Sequence, residues 1–267
     1  MRRIRLTFSY DGTDFYGWQV QPDQITIQSE MQRVFSEIEG SPVRVDASGR
    51  TDAGVHAVAQ VAAVSMANPI PCVNLRKAAN RLLPPSIRVL DVAEASAGFH
   101  PRFQAIAKTY EYRMFRDETC PPFLRNYVCH WPRPLDEQAM IALAPLLVGE
   151  HDFTAFAASD PADAVGRNGE PKSKIRRIFS SEMWREDGRL LYRVRGSGFL
   201  KHMVRNIVGV LIEVGKGNVD LNGVKARLEA GSGIPAGPTA PPQGLFLIGV
   251  EYPPESLLPP VVEDTDK

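Results

Sequence analysis

Apolar residues recur at every second position over Ile4, Leu6, Phe8 and Tyr10, then at every third or fourth over Ile27, Met31, Val34, Phe35 and Ile38. The first period belongs to a strand with one buried face, the second to an amphipathic helix, and this alternation of periods limits the fold more than any other feature. Asp11-Gly12 ends the strand, Thr26 is placed to cap the helix and Gly40 to stop it. Two further strands are expected over residues 43–47 and 55–64, joined by the polar loop Ser48-Gly49-Arg50-Thr51-Asp52-Ala53-Gly54. A second helix is expected from Asn74, with Leu75, Ala78, Ala79, Leu82 and Leu83 on one face, and a fourth strand over residues 87–92. The order is β-α-β-β-α-β.

The rest of the chain repeats that order. A strand is expected over residues 108–115, with Tyr110, Tyr112 and Met114 on one face, then a helix near Asp136 that Pro145 kinks or divides. Residues 158–174 read as a long polar loop. Strands over residues 178–184 and 190–195 flank Asp187-Gly188, a favoured pair for a tight hairpin. Ser197 is expected to cap a helix that is apolar on most sides, from Leu200 to Val214, followed by a short helix near Asp220 and a last strand over residues 245–252. The expected fold class is α+β, two tandem ferredoxin-like lobes with mixed, mainly antiparallel sheets. The lobes are expected at residues 1–103 and 104–252, with residues 253–267 a mobile acidic tail.

With 43% hydrophobic residues in a 267-residue chain, a disordered polymer is excluded. No apolar run approaches the ~20 residues that span a bilayer, so a cytoplasmic address and no membrane partner are expected. Cys72, Cys120 and Cys129 match no disulfide framework, and Cys120, Cys129 and His130 lack a fourth ligand at a zinc-like spacing. Lysines and arginines number 31, as do aspartates and glutamates, yet between Lys172 and Arg205 ten basic residues face three acidic ones. On charge alone, a solvated face and a nucleic-acid surface fit that run equally.

Two polar residues stand out. Asp52 lies in a glycine-bounded loop beside Arg50, with His56 just beyond, where it either bonds the turn backbone or carries chemistry. Arg205 lies in the apolar helix and requires an anionic partner, structural or otherwise. Tyr110 alone reads as core with a satisfied hydroxyl. Gly196-Ser197-Gly198 is a weak candidate for holding phosphate at a helix N-terminus. A metal-dependent phosphohydrolase would need more carboxylates or histidines than surround Asp52. A noncatalytic RNA-binding module uses the same basic run with Asp52 shaping a turn.

Residues 10–21 read Tyr-Asp-Gly-Thr-Asp-Phe-Tyr-Gly-Trp-Gln-Val-Gln, and residues 49–57 Gly-Arg-Thr-Asp-Ala-Gly-Val-His-Ala. Further on come Lys108-Thr109-Tyr110-Glu111-Tyr112, Gly149-Glu150-His151-Asp152-Phe153-Thr154-Ala155-Phe156, Phe199-Leu200-Lys201-His202-Met203-Val204-Arg205-Asn206-Ile207-Val208-Gly209 and Thr239-Ala240-Pro241-Pro242-Gln243-Gly244-Leu245. In these motifs and their order the chain resembles the tRNA pseudouridine synthase A (TruA) family.

The resemblance implies the pseudouridine synthase fold, with its two lobes flanking a central basic cleft. It makes Asp52 the catalytic nucleophile, Arg205 its ion-pair partner and Tyr110 the ring that stacks on the target base. Leu245 becomes the apolar residue packed by the site, and Arg50 a substrate-binding residue that helps draw the nucleotide out. It also implies a homodimer acting on tRNA without cofactor or metal, on uridines at positions 38, 39 and 40 of the anticodon arm, each taken out of its stack. Lys108 stands where an arginine is expected, which keeps charge but loses planar bidentate contacts.

Overall fold

The computed structural model describes residues 1–158, 170, 173–229 and 233–257. Its chain divides into two compact units, Lys108–Leu245 forming one and Met1–Ala107 with the chain from Phe246 forming the other. The first runs β1 (Arg2–Tyr10), α1 (Ile27–Glu39), β2 (Val45–Ala47), β3 (His56–Met66), α2 (Cys72–Leu82) and β4 (Ile87–Ala95). The second runs β5 (Ala107–Phe115), β6 (Cys129–His130), α3 (Glu137–Leu143), β7 (Gly149–Asp152), β8 (Ile175–Glu186), β9 (Arg189–Gly196), α4 (Met203–Gly215) and α5 (Leu221–Leu228). The final strand, β10 (Leu245–Glu251), pairs in parallel with β3 of the first unit at Phe246↔His56 and Leu247↔Ala57. The order of elements assigns residues 104–252 to the second lobe, whereas long-range pairing, which no local pattern encodes, gives the chain from Phe246 to the first.

In the first unit β1 lies between β3 and β4, antiparallel to both. Ile4, Leu6 and Phe8 are fully buried, and the intervening Arg3, Arg5 and Thr7 face the other side of the sheet. The remaining edge of β3 is shared: β2 pairs antiparallel with Ala62–Val64, and β10 takes His56 and Ala57. Thr26 and Ser29 form a capping box at the start of α1, and Gly40 closes the helix at φ 80° while donating its N–H to the Ser36 carbonyl. Ile27, Met31, Val34 and Phe35 are its buried stripe.

The second unit orders its strands β5-β9-β8-β7, every pairing antiparallel, and β6 runs parallel to the end of β5. The short strands β6 and β7 were not expected, being too brief for periodicity to register. Asp187 and Gly188 both take positive φ (48° and 73°), as a tight hairpin of this hand requires. Pro145 divides its helix as expected: α3 ends at Leu143 and a 3-10 turn covers Ala144–Leu147.

Ser197 does not cap α4. It remains tied to β8, its N–H donating to the Arg177 carbonyl at 2.9 Å, and the helix starts at Met203 after a left-handed His202 (φ 61°). Gly196-Ser197-Gly198 therefore adjoins no helix N-terminus, which removes it as a phosphate site. Most of the 158–174 loop lies outside the described residues. So does the tail beyond residue 257, although Pro254–Leu257 forms a 3-10 turn. No helix among the described residues is long and apolar enough to cross a membrane.

Removing the cap hydroxyl in Thr26→Ala is expected to lower the free energy of unfolding by about 1 kcal/mol, read from the midpoint of urea denaturation at unchanged slope.

Candidate active site

The loop from Ser48 to Val55 joins β2 to β3, and it is fastened at each end. The Ser48 hydroxyl donates to Gln60 Oε1 at 2.6 Å, and Gln60 Nε2 donates to the Gly49 carbonyl at 3.1 Å, both from the fully buried Gln60 of β3. The Thr51 hydroxyl shares a 2.8 Å hydrogen bond with the Tyr10 hydroxyl, whose pKa burial pushes up to about 12, so it stays neutral. Val55 N–H donates to the Asp52 carbonyl at 3.1 Å and closes the turn. The Asp52 side chain is left half-buried, and Arg50 is exposed.

The segment after β1 packs directly on this loop. Trp18 N–H donates to the Thr51 carbonyl at 3.0 Å, and Gly54 N–H to the Phe15 carbonyl at 3.4 Å. A Cβ at Gly12 would collide with the Val55 carbonyl oxygen, and one at Gly17 (φ 80°) would stand 2.7 Å from the Thr51 carbonyl and 3.0 Å from the Asp52 carbonyl carbon. The first two motifs of the sequence are thus one object: the glycines of residues 10–21 make room for the backbone of residues 49–57.

His56 locks the pair together and was not among the expected site residues. Its ring is 1% exposed, its Nδ1 accepts the Gly12 N–H at 3.0 Å and lies 3.2 Å from Asp11 Oδ1, and it stacks on Phe246 of β10 with centroids 4.6 Å apart. The presence of a histidine four residues after Asp52 was legible in the sequence; its partners across the chain were not.

The second unit carries Tyr110, Arg205 and Leu245. Tyr110 sits in β5 opposite Val194, 7% exposed, its ring edge-on to Phe199 at 5.1 Å. Arg205 is half-buried in the first turn of α4, where its Nε donates to the Ala240 carbonyl at 2.8 Å and Ala240 N–H returns a bond to the Arg205 carbonyl at 3.1 Å. Leu245, 5% exposed, follows the 3-10 turn Pro242–Gly244.

The segment 238–241 is fixed by residues that sequence reasoning passed over. Thr239 donates to Asn206 Oδ1 at 2.6 Å, Asn206 Nδ2 donates to the Phe156 carbonyl at 2.8 Å, and the Tyr112 hydroxyl donates to the Pro241 carbonyl at 2.8 Å. Burial raises the Tyr112 pKa well above the ordinary range, so that hydroxyl remains a donor. A Cβ at Gly209 would collide with the Pro238 carbonyl oxygen. Asp52 and Arg50 thus stand in the first unit, on a loop whose backbone is fastened, while Tyr110, Arg205 and Leu245 stand in the second.

Gly17→Ala places a side chain in a left-handed conformation and against the backbone of the Asp52 loop, and is expected to cost about 1–3 kcal/mol of stability in chemical denaturation.

A model of the tRNA pseudouridine synthase family matches residues 6–104 and 143–253, which contain Asp52, Arg205 and Leu245. A tRNA pseudouridine synthase A of Solibacter usitatus is 61% identical over 253 residues, covering 94% of this chain and all of the relative. Namesakes from Geobacillus sp. (strain WCH70) and Geobacter sp. (strain M21) are 42% and 43% identical, covering 94% and 95% of this chain and 98% and 100% of their own. Both clamped motifs fall inside these matches, and the chain belongs to the tRNA pseudouridine synthase family.

Proposed function

We propose that this member of an isomerase family converts uridine to pseudouridine at positions 38, 39 and 40 of the tRNA anticodon arm, with Asp52 as its essential carboxylate and nucleophile. The observation that carries this reading is the loop around Asp52, whose backbone is clamped on both sides by buried hydrogen bonds and glycine contacts while the carboxylate-bearing residue stays half-buried. A reacting group needs that combination of fixed position and access.

The reaction breaks the bond from N1 to C1′, turns the uracil, joins C5 to C1′ and releases the C5 hydrogen as a proton. Nothing is oxidised and no water is consumed. One carboxylate suffices because uracil leaves as a delocalised anion, unlike the alkoxide of a glycoside, whose departure calls for a second acidic group. Attack at C1′ is the route assigned to Asp52; addition to C6 and removal of the 2′ proton use the same carboxylate in the same place. Arg205 supplies a cation that cannot readily lose its proton and keeps the carboxylate ionised. Tyr110 stacks on the extruded base, Leu245 packs beside it, and Arg50 draws the nucleotide out through its phosphate. The same reading makes the protein a cytoplasmic homodimer that works on tRNA without cofactor or metal.

Unmodified tRNA tritiated at C5 of uridine tests the assignment. Without added metal the parent is expected to release tritium, and Asp52→Asn to release none while keeping its melting temperature and its affinity for tRNA. Release by that variant at the parental rate would overturn the role of Asp52. Arg205→Lys keeps the charge and loses the Nε contact to Ala240, so its kcat is expected to fall about tenfold, the equivalent of ~1.4 kcal/mol, with tRNA affinity little changed.

A further inference from the structure

The segment between β4 and β5 carries an aromatic pair with no role in the chemistry above. Phe103 is 61% exposed, and its ring lies on that of His100 with centroids 4.2 Å apart and planes at 36°. A single exposed phenylalanine means little on a protein surface. What distinguishes this one is the rigidity of its support. Gln104 N–H donates to the His100 carbonyl at 3.2 Å, His100 N–H to Gln104 Oε1 at 3.1 Å, and Arg102 N–H to His100 Nδ1 at 3.2 Å. Beneath them Phe99 is 2% exposed in a cluster with Val61, Ala63 and Ala95, and Arg3 Nε holds its carbonyl at 3.0 Å. An apolar ring is thus held outward by a loop braced by hydrogen bonds among His100, Arg102 and Gln104.

The surroundings are basic. Asp46, whose charge acts on His100, is itself paired with both Arg3 and Arg44, at 3.5 and 2.8 Å. Arg102 is exposed and makes no ion pair among the described residues. Burial, opposed by Asp46 and reinforced by Arg3 and Arg102, holds His100 below the usual imidazole range, so its ring is neutral at pH 7. The place in the unit is equally specific. The Tyr252 hydroxyl donates to the Pro101 carbonyl at 2.7 Å, and its ring packs against Phe99 with centroids 5.3 Å apart. One tyrosine therefore braces the backbone on which the aromatic pair stands.

We propose that His100 and Phe103 form a stacking platform for an unpaired base of the RNA substrate, a nucleotide other than the one modified, with Arg102 meeting its phosphate. This rests on the reading of the protein as a tRNA enzyme. Aromatic faces accept any base, and a neighbouring guanidinium matches the backbone charge, so the pair adds affinity and orientation without reading sequence. Phe103 is a binding residue in this account, with no contact to the reacting atoms.

The test compares the full-length parent with Phe103→Ala, Phe103→Leu and Phe103→Trp, measuring kcat and KM by tritium release and tRNA affinity by fluorescence anisotropy. Alanine and leucine are each expected to raise KM and Kd about tenfold with kcat changed less than about twofold, and tryptophan to stay within about twofold of the parent throughout. Leucine keeps apolar volume and loses the π face, so a leucine variant that matches the parent overturns the platform. Equal affinities across the series overturn it too. Sedimentation velocity on the parent and Phe103→Ala at one concentration settles the competing occupant: a change in oligomeric state assigns the ring pair to a contact between copies of the chain and sinks the proposal. A parent that releases no tritium would defeat the isomerase reading, while the anisotropy series would still decide the platform.

Discussion

The close approach of two backbones organises the first unit. Residues 10–21 and 49–57 lie against each other at distances that only glycine at positions 12 and 17 permits, and they exchange main-chain hydrogen bonds as well as the side-chain bonds of Thr51 and His56. Such bonds exclude water from both partners and leave little freedom for either segment to shift alone. The neutral Tyr10 hydroxyl and the fully buried Gln60 extend the same restraint from the end of β1 and the middle of β3. Asp52 is therefore positioned by the sheet itself, and its loop behaves as a continuation of β3.

An equivalent logic governs the second unit, with a helix in place of a loop. The start of α4 is fastened to the segment 238–241 by the reciprocal bonds of Arg205 with Ala240 and by the chain from Thr239 through Asn206 to Phe156. Tyr112 of β5 holds the same segment from the other side through Pro241, and Gly244 packs against its ring, where a Cβ would come within 2.9 Å. The left-handed His202 immediately before the helix is a conformation that a non-glycine residue adopts at some cost.

Local chemistry made much of this legible in advance. Thr26 and Gly40 bound α1, Asp187-Gly188 turns the hairpin, and Pro145 interrupts its helix, because each acts through bonds to residues within four positions of itself. The proposed site residues stand out through motifs, and the oddity of a polar residue among apolar ones singles out Arg205. What escaped depends on partners distant in sequence. Ser197 had the chemistry of a cap but was claimed by β8 across the hairpin. The pairing of β10 with β3 and the stacking of His56 on Phe246 join residues that lie on either side of the second unit in sequence, and the bond from Gly12 to His56 spans 44 positions.

The central claim is that the backbone clamp sets where the Asp52 carboxylate sits, and Asp52→Glu probes it most directly. That substitution keeps the charge and moves it by one methylene. Under single-turnover conditions with bound tRNA, the account predicts that uridine conversion slows by about 100-fold or more, the usual penalty for a reacting group displaced by ~1 Å, with tRNA affinity unchanged. A glutamate variant that converts uridine at close to the parental rate would show that the loop does not impose the position of its carboxylate, and would contradict the account.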